Sequence, residues 1–161
     1  MSFTKAFSLS ILTLVFVSTA FAAPKVGDSA TLDGSLTGQG VNMKITTFQK
    51  ITAFDVNTAV YTVEQTQSVA DQVQTKEVSV AASSMMSEES ATLIVTHCAS
   101  EQIGTPEHIT VAAGSFDTCR VAAPNGSILW IAPIPFGVVK LSTAIDVGTV
   151  NLGASTFTRG K

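Results

Sequence analysis

Six side chains in the second half of this 161-residue chain have the chemistry of metal ligands: Met85, Met86, His97, Cys98, His108 and Cys119. Thiolates and imidazoles hold zinc, and thioethers add soft donors that suit copper. Their spacing fits no zinc-finger pattern. A catalytic thiol needs a neighbour that lowers its pKa. His97 adjoins Cys98 in sequence, but neighbouring residues on a helix point in different directions. The plainer alternative is a Cys98–Cys119 disulfide, and the compartment decides between them. Other polar groups offer less. Glu88 and Glu89 read as charges at a helix start. Ser115 sits in Ala113-Gly114-Ser115-Phe116, which lacks the G-x-S-x-G form of a nucleophile elbow. Gly38 and Gly40 alone do not make a phosphate loop. The expectation is no enzymatic activity, no metal and no cofactor.

The compartment is written at the N-terminus. Lys5 gives a positive start, Leu9 to Val17 an apolar run, and Ala20-Phe21-Ala22 a small-x-small cleavage site. That is the pattern of a secretory signal peptide over residues 1–22, leaving 23–161 as one domain. No cysteine follows the apolar run, so no lipobox is present, and no later stretch is long enough to span a bilayer. The sequence therefore predicts a periplasmic or secreted protein with no transmembrane segment. Export favours the disulfide over thiolate ligands, and closing a loop of roughly 20 residues contributes about 3 kcal/mol in the chain-entropy model. The formal net charge of −3 becomes more negative once Lys5 is removed. With no basic patch, nucleic acid is a poor partner.

Four apolar residues are the binding candidates: Phe116, Trp130, Ile134 and Phe136. Either they cap a core or they line the mouth of an apolar pocket. The elements that position them start from Asn125-Gly126, a strong hairpin signal. With those two as the loop, Ala123 faces Ile128, Val121 faces Trp130 and Cys119 faces Ala132. Trp130 then shares the core face with Cys119. A second reversal at Ala113-Gly114-Ser115 gives three antiparallel strands at about 107–112, 116–123 and 128–133. Pro133-Ile134-Pro135-Phe136-Gly137 follows as an apolar rim, because prolines do not serve a central ladder.

The pattern V-x-A-G-S-F-x-x-C-x-V at Val111 to Val121, followed by L-W-I-A-P-x-P-F-G-V-V-K at Leu129 to Lys140, resembles uncharacterised exported bacterial proteins akin to the DUF3108 and LolA-like group. The likeness covers the C-terminal third to half of the chain. It implies a curved antiparallel sheet with helical material on its concave side, and it carries no catalytic residue across.

The rest of the chain fits an α+β fold of that kind, a curved antiparallel meander or half-barrel with one short helix on its concave face. Val41, Met43 and Ile45 alternate with Asn42, Lys44 and Thr46, as in a half-buried strand. The chain reverses near Asp55-Val56-Asn57 and returns through Ala59, Tyr61, Val63 and Gln65. Gln72 to Ala81 forms another strand. The period then changes. Ala91, Ile94, Val95 and Cys98 make the stripe of a helix near 87–99, with Ser87 as N-cap and Gly104 ending the helical region. The β-branched run Thr92 to Thr96 leaves a strand as the alternative. As a helix, this segment sets Cys98 against Cys119 and pins itself to the strand beside Trp130. Strands at Val138 to Ile145 and Thr149 to Thr158 complete the domain.

Together these observations predict a non-enzymatic binding or carrier-like protein, with an apolar or lipid-like ligand between sheet and helix. The alternative is a structural or interaction component of the cell envelope, its partner an envelope protein contacted through the Pro133–Gly137 rim or an edge strand.

Overall fold

The computed structural model describes residues 23–161, so the signal-peptide reading lies outside the described residues. The described chain forms one antiparallel sheet and one α-helix. In chain order the elements are β1 (Ser29–Gly38), β2 (Val41–Asp55), β3 (Val60–Val69), β4 (Gln72–Ala81), a 3-10 turn (Ala82–Ser84), α1 (Glu88–His97), β5 (Thr105–Val111), β6 (Gly114–Ala122), β7 (Ile128–Ile131), β8 (Val138–Ile145) and β9 (Gly148–Thr158). The strand order is β4-β3-β2-β1-β9-β8-β7-β6-β5. Two sequential meanders are thus joined by pairing of the first strand with the last, Leu36 opposite Val150 and Leu32 opposite Ala154. Among the described residues no helix is long and apolar enough to cross a membrane.

The helix forms where the apolar period changes. The Ser87 hydroxyl accepts from the Ser90 N–H at 3.1 Å, and Glu88 and Glu89 occupy the positive end of the dipole. The β-branched residues that argued for a strand are accommodated by back-bonding: Thr92 and Thr96 donate their hydroxyls to the carbonyls of Glu88 and Thr92. Cys98 caps the C-terminus and is bonded to Cys119 of β6. Gly104 carries the chain past that bond. A Cβ there would sit 2.9 Å from Cys119 Sγ and overlap the Arg120 carbonyl. Under α1, Ala91 meets Ala123, Leu129 and Ile131, with Ile94 and Val121 at the margin.

The β6–β7 hairpin corrects the expected register. Arg120 lies opposite Trp130, Cys119 opposite Ile131 and Ala122 opposite Ile128. The cause is Pro124. Its ring fixes φ for the second position of an ordinary turn, so Ala123-Pro124-Asn125-Gly126 closes with Gly126 N–H donating to the Ala123 carbonyl at 2.9 Å. Gly126 alone takes the left-handed conformation, φ 82°, and Ala123 N–H then bonds the Ser127 carbonyl at 2.8 Å. This is a three-residue loop, one longer than Asn-Gly alone predicts. A one-residue slip moves every side chain to the other face. Cys119, Val121, Leu129 and Ile131 therefore turn toward α1, and Trp130 turns away from it.

Two further clusters hold the remaining strands. Leu36, Ile45, Val150 and Leu152 pack across the β1–β9 seam. Ile51, Tyr61 and Val63 pack under Val78, Val80 and Met85 at the end of β2–β4. Beside them Asp28 ties the two ends of the described chain, accepting from the N–H groups of Lys25 and Gly160, each at 2.8 Å.

Candidate functional site

Trp130 is the centre of the sheet face opposite α1. Arg120 on β6 and Lys140 on β8 are its direct cross-strand neighbours, so all three side chains rise from one face. The Arg120 guanidinium carbon lies 5.7 Å and the Lys140 ammonium 4.4 Å from the indole centroid, both within cation–π range. Glu107 of β5 joins the group. One of its carboxylate oxygens accepts from Trp130 Nε1–H at 2.7 Å, and the other lies 3.8 Å from Arg120 Nε. The indole N–H is satisfied, and Trp130 is only 8% exposed.

Around this polar tip runs an apolar band. Ile109, Val111, Phe116, Ile128 and Phe157 are half-buried against Trp130, Ala132, Ile134, Val139 and Ala154. The Phe116 and Phe157 rings meet edge to face at 6.3 Å. The β5–β6 hairpin reaches over to β9, where Ala113 N–H donates to the Ala154 carbonyl at 2.9 Å. Val111 rests on Gly153, and a Cβ at that glycine would come within 3.2 Å of it. The face thus offers half-buried hydrocarbon from several strands, with a carboxylate, a guanidinium and an ammonium at one end.

Of the four candidates, the structure brings Phe116, Trp130 and Ile134 together and sends Phe136 elsewhere. Phe136, at φ 64°, packs against the Ile51–Tyr61–Val63 cluster. The Pro133–Gly137 segment folds inward: Gly137 N–H bonds the Ile134 carbonyl and Ala132 N–H the Gly137 carbonyl, both at 2.9 Å. Ile134 is 1% exposed. Gly137 leaves room for Met86, whose thioether would overlap any Cβ there. The segment is a plug between two clusters. The space beneath α1, expected to hold a ligand, is filled by Ala91, Cys98, Cys119 and Ile131, none of them solvent-exposed.

The candidate metal ligands separate. The two cysteines are bonded to each other, His97 faces Glu101 at 3.5 Å, and exposed His108 meets Asp117 across the β5–β6 ladder at 2.7 Å. Among the described residues no group of three or more His, Cys, Asp or Glu side chains could hold a metal ion. Sequence reasoning missed Glu107, Arg120 and Lys140. The signal lay in the parity of the strands, legible only with the three-residue loop in place. No family model matches the chain, and no curated protein matches it.

Proposed function

We propose that this is an exported, non-enzymatic binding or carrier-like protein that receives an apolar or lipid-like ligand on the Trp130 face. The half-buried band Ile109, Val111, Phe116, Ile128 and Phe157 around Trp130 is the observation that carries the reading. Such a band with a few convergent polar groups has the composition of a small-molecule site. Curvature of the sheet about this face belongs to the same reading, supported by the reach of the β5–β6 hairpin to β9. Export rests on the N-terminal pattern and fits a buried disulfide. The motif likeness to the DUF3108 and LolA-like group points the same way.

Trp130 is the sole tryptophan and so a built-in reporter. Titration with oleate below its micelle concentration should shift its emission saturably, and Phe116→Ala should weaken the response. Unchanged emission, together with a bare mass for the native exported protein under gentle native mass spectrometry, would overturn the reading.

A further inference from the structure

The two outer strands of the sheet are finished differently. β5 carries Pro106 in its second position, and its far end is tied to β9 through Ala113. β4 has no such device. Its ten residues contain neither proline nor glycine, and they pair with β3 one for one, from Val60 opposite Ala81 to Val69 opposite Gln72, without a bulge. Among the described residues nothing pairs with its outer side. Gln72 to Glu77 are all exposed, and Val73 is 64% exposed. An extended edge of this kind is a template for another strand.

Lys76 and Glu77, at the centre of β4, decide which strand fits. A second copy pairing antiparallel through β4 would be related by a two-fold axis perpendicular to the sheet. That axis keeps each face on its own side, so residue numbers of like parity meet. Lys76 then faces an even-numbered residue and never Glu77, and pairings centred on the strand bring Lys76 near Lys76 or Glu77 near Glu77. Like charges directly opposite are destabilising. A foreign strand has no such constraint. Running antiparallel, one that reads basic then acidic from N to C sets its acid opposite Lys76 and its base opposite Glu77.

We propose that the outer edge of β4 receives an extended strand of a different protein, antiparallel, with a basic–acidic dipeptide at its centre and β-branched residues on either side. Backbone hydrogen bonds supply the attachment, and the two cross-strand charge pairs set register and direction. The surface is separate from the Trp130 face, so ligand binding there neither supports nor weakens it.

The test uses the whole mature chain and two labelled peptides of one composition: Thr-Val-Thr-Lys-Glu-Val-Thr-Val and the same peptide with its central pair exchanged. Fluorescence anisotropy should show the Lys-Glu peptide binding about tenfold more tightly than the Glu-Lys peptide. The double variant Lys76→Glu, Glu77→Lys should invert that preference, while sedimentation finds the wild type monomeric. Equal affinities, binding by neither peptide, or a wild-type dimer that the double variant alters would overturn the proposal.

Discussion

The β5–β9 half of the sheet and the β3–β4 arm obey opposite rules. In the first, both faces are covered: α1 is stapled over Ile131 and Leu129 on one side, and the Trp130 cluster occupies the other. In the arm, only the end near Tyr61 is buried. Beyond Val63 the residues are Gln, Thr, Ser, Lys and Glu except for Val69, half-buried against the Leu36 cluster, and exposed Val73, and contacts such as the Thr66–Thr75 hydroxyl pair at 2.9 Å are exposed. Burial of apolar surface dominates folding stability. The difference therefore teaches that stability is concentrated around the disulfide, whereas the arm beyond the Tyr61 cluster rests mainly on its ladder hydrogen bonds and leaves its outer edge open.

Substitutions can break that contrast, and their expected sizes differ. Ile131→Ala, under α1, should cost about 2–5 kcal/mol in urea unfolding, whereas Val73→Ser on the arm should stay within about 0.5 kcal/mol. Comparable losses would remove the distinction. Replacing both Cys98 and Cys119 by Ala should cost about 3 kcal/mol and lower the melting temperature, and reductant should then leave the variant unaffected while it destabilises the wild type.

The smallest effect sharpens the comparison at the seam between the halves. Hydroxyls of Ser155 and Thr46, aided by Lys44, hold the Asp33 carboxyl below its ordinary value of 3.8. A carboxylate whose pKa falls on folding adds stability above the unfolded value and loses it as the pH drops through the folded one. Asp33 is partly exposed, so the gain is screened and small. Urea midpoints at neutral pH and at about pH 3 should therefore differ slightly less for Asp33→Asn than for wild type; an equal or larger difference would separate Asp33 from the seam's acid response.

Much of the fold was legible locally. Ser87, the two glutamates and the Ala91–Ile94–Val95–Cys98 stripe marked α1, because capping and helical period are short-range properties. The strands from Val41 onward announced themselves by alternation. What failed was register and partnership. Asn125-Gly126 by itself signals a two-residue loop, whereas Pro124 lengthens the loop and so reverses the face of Trp130. The direction of the rim was not legible for a related reason: prolines forbid a central ladder without saying whether Ile134 points out or in. Pairing of β1 with β9 had no local signature, since each strand would pair as well with any suitable edge. The Trp130 constellation draws on β5 to β8, so no short motif could contain it.

The seam between β1 and β9 also sets a timetable. A chain that emerges N-terminus first, from a ribosome or through a membrane pore, makes β1 to β4 early. One side of β1 then stays open until residues 148–158 arrive, because only β9 fills it. Contacts so distant along the chain form slowly. The first meander must wait with an unpaired edge while α1, the disulfide and the Trp130 hairpins assemble, and the two halves join as the last strand slides between them.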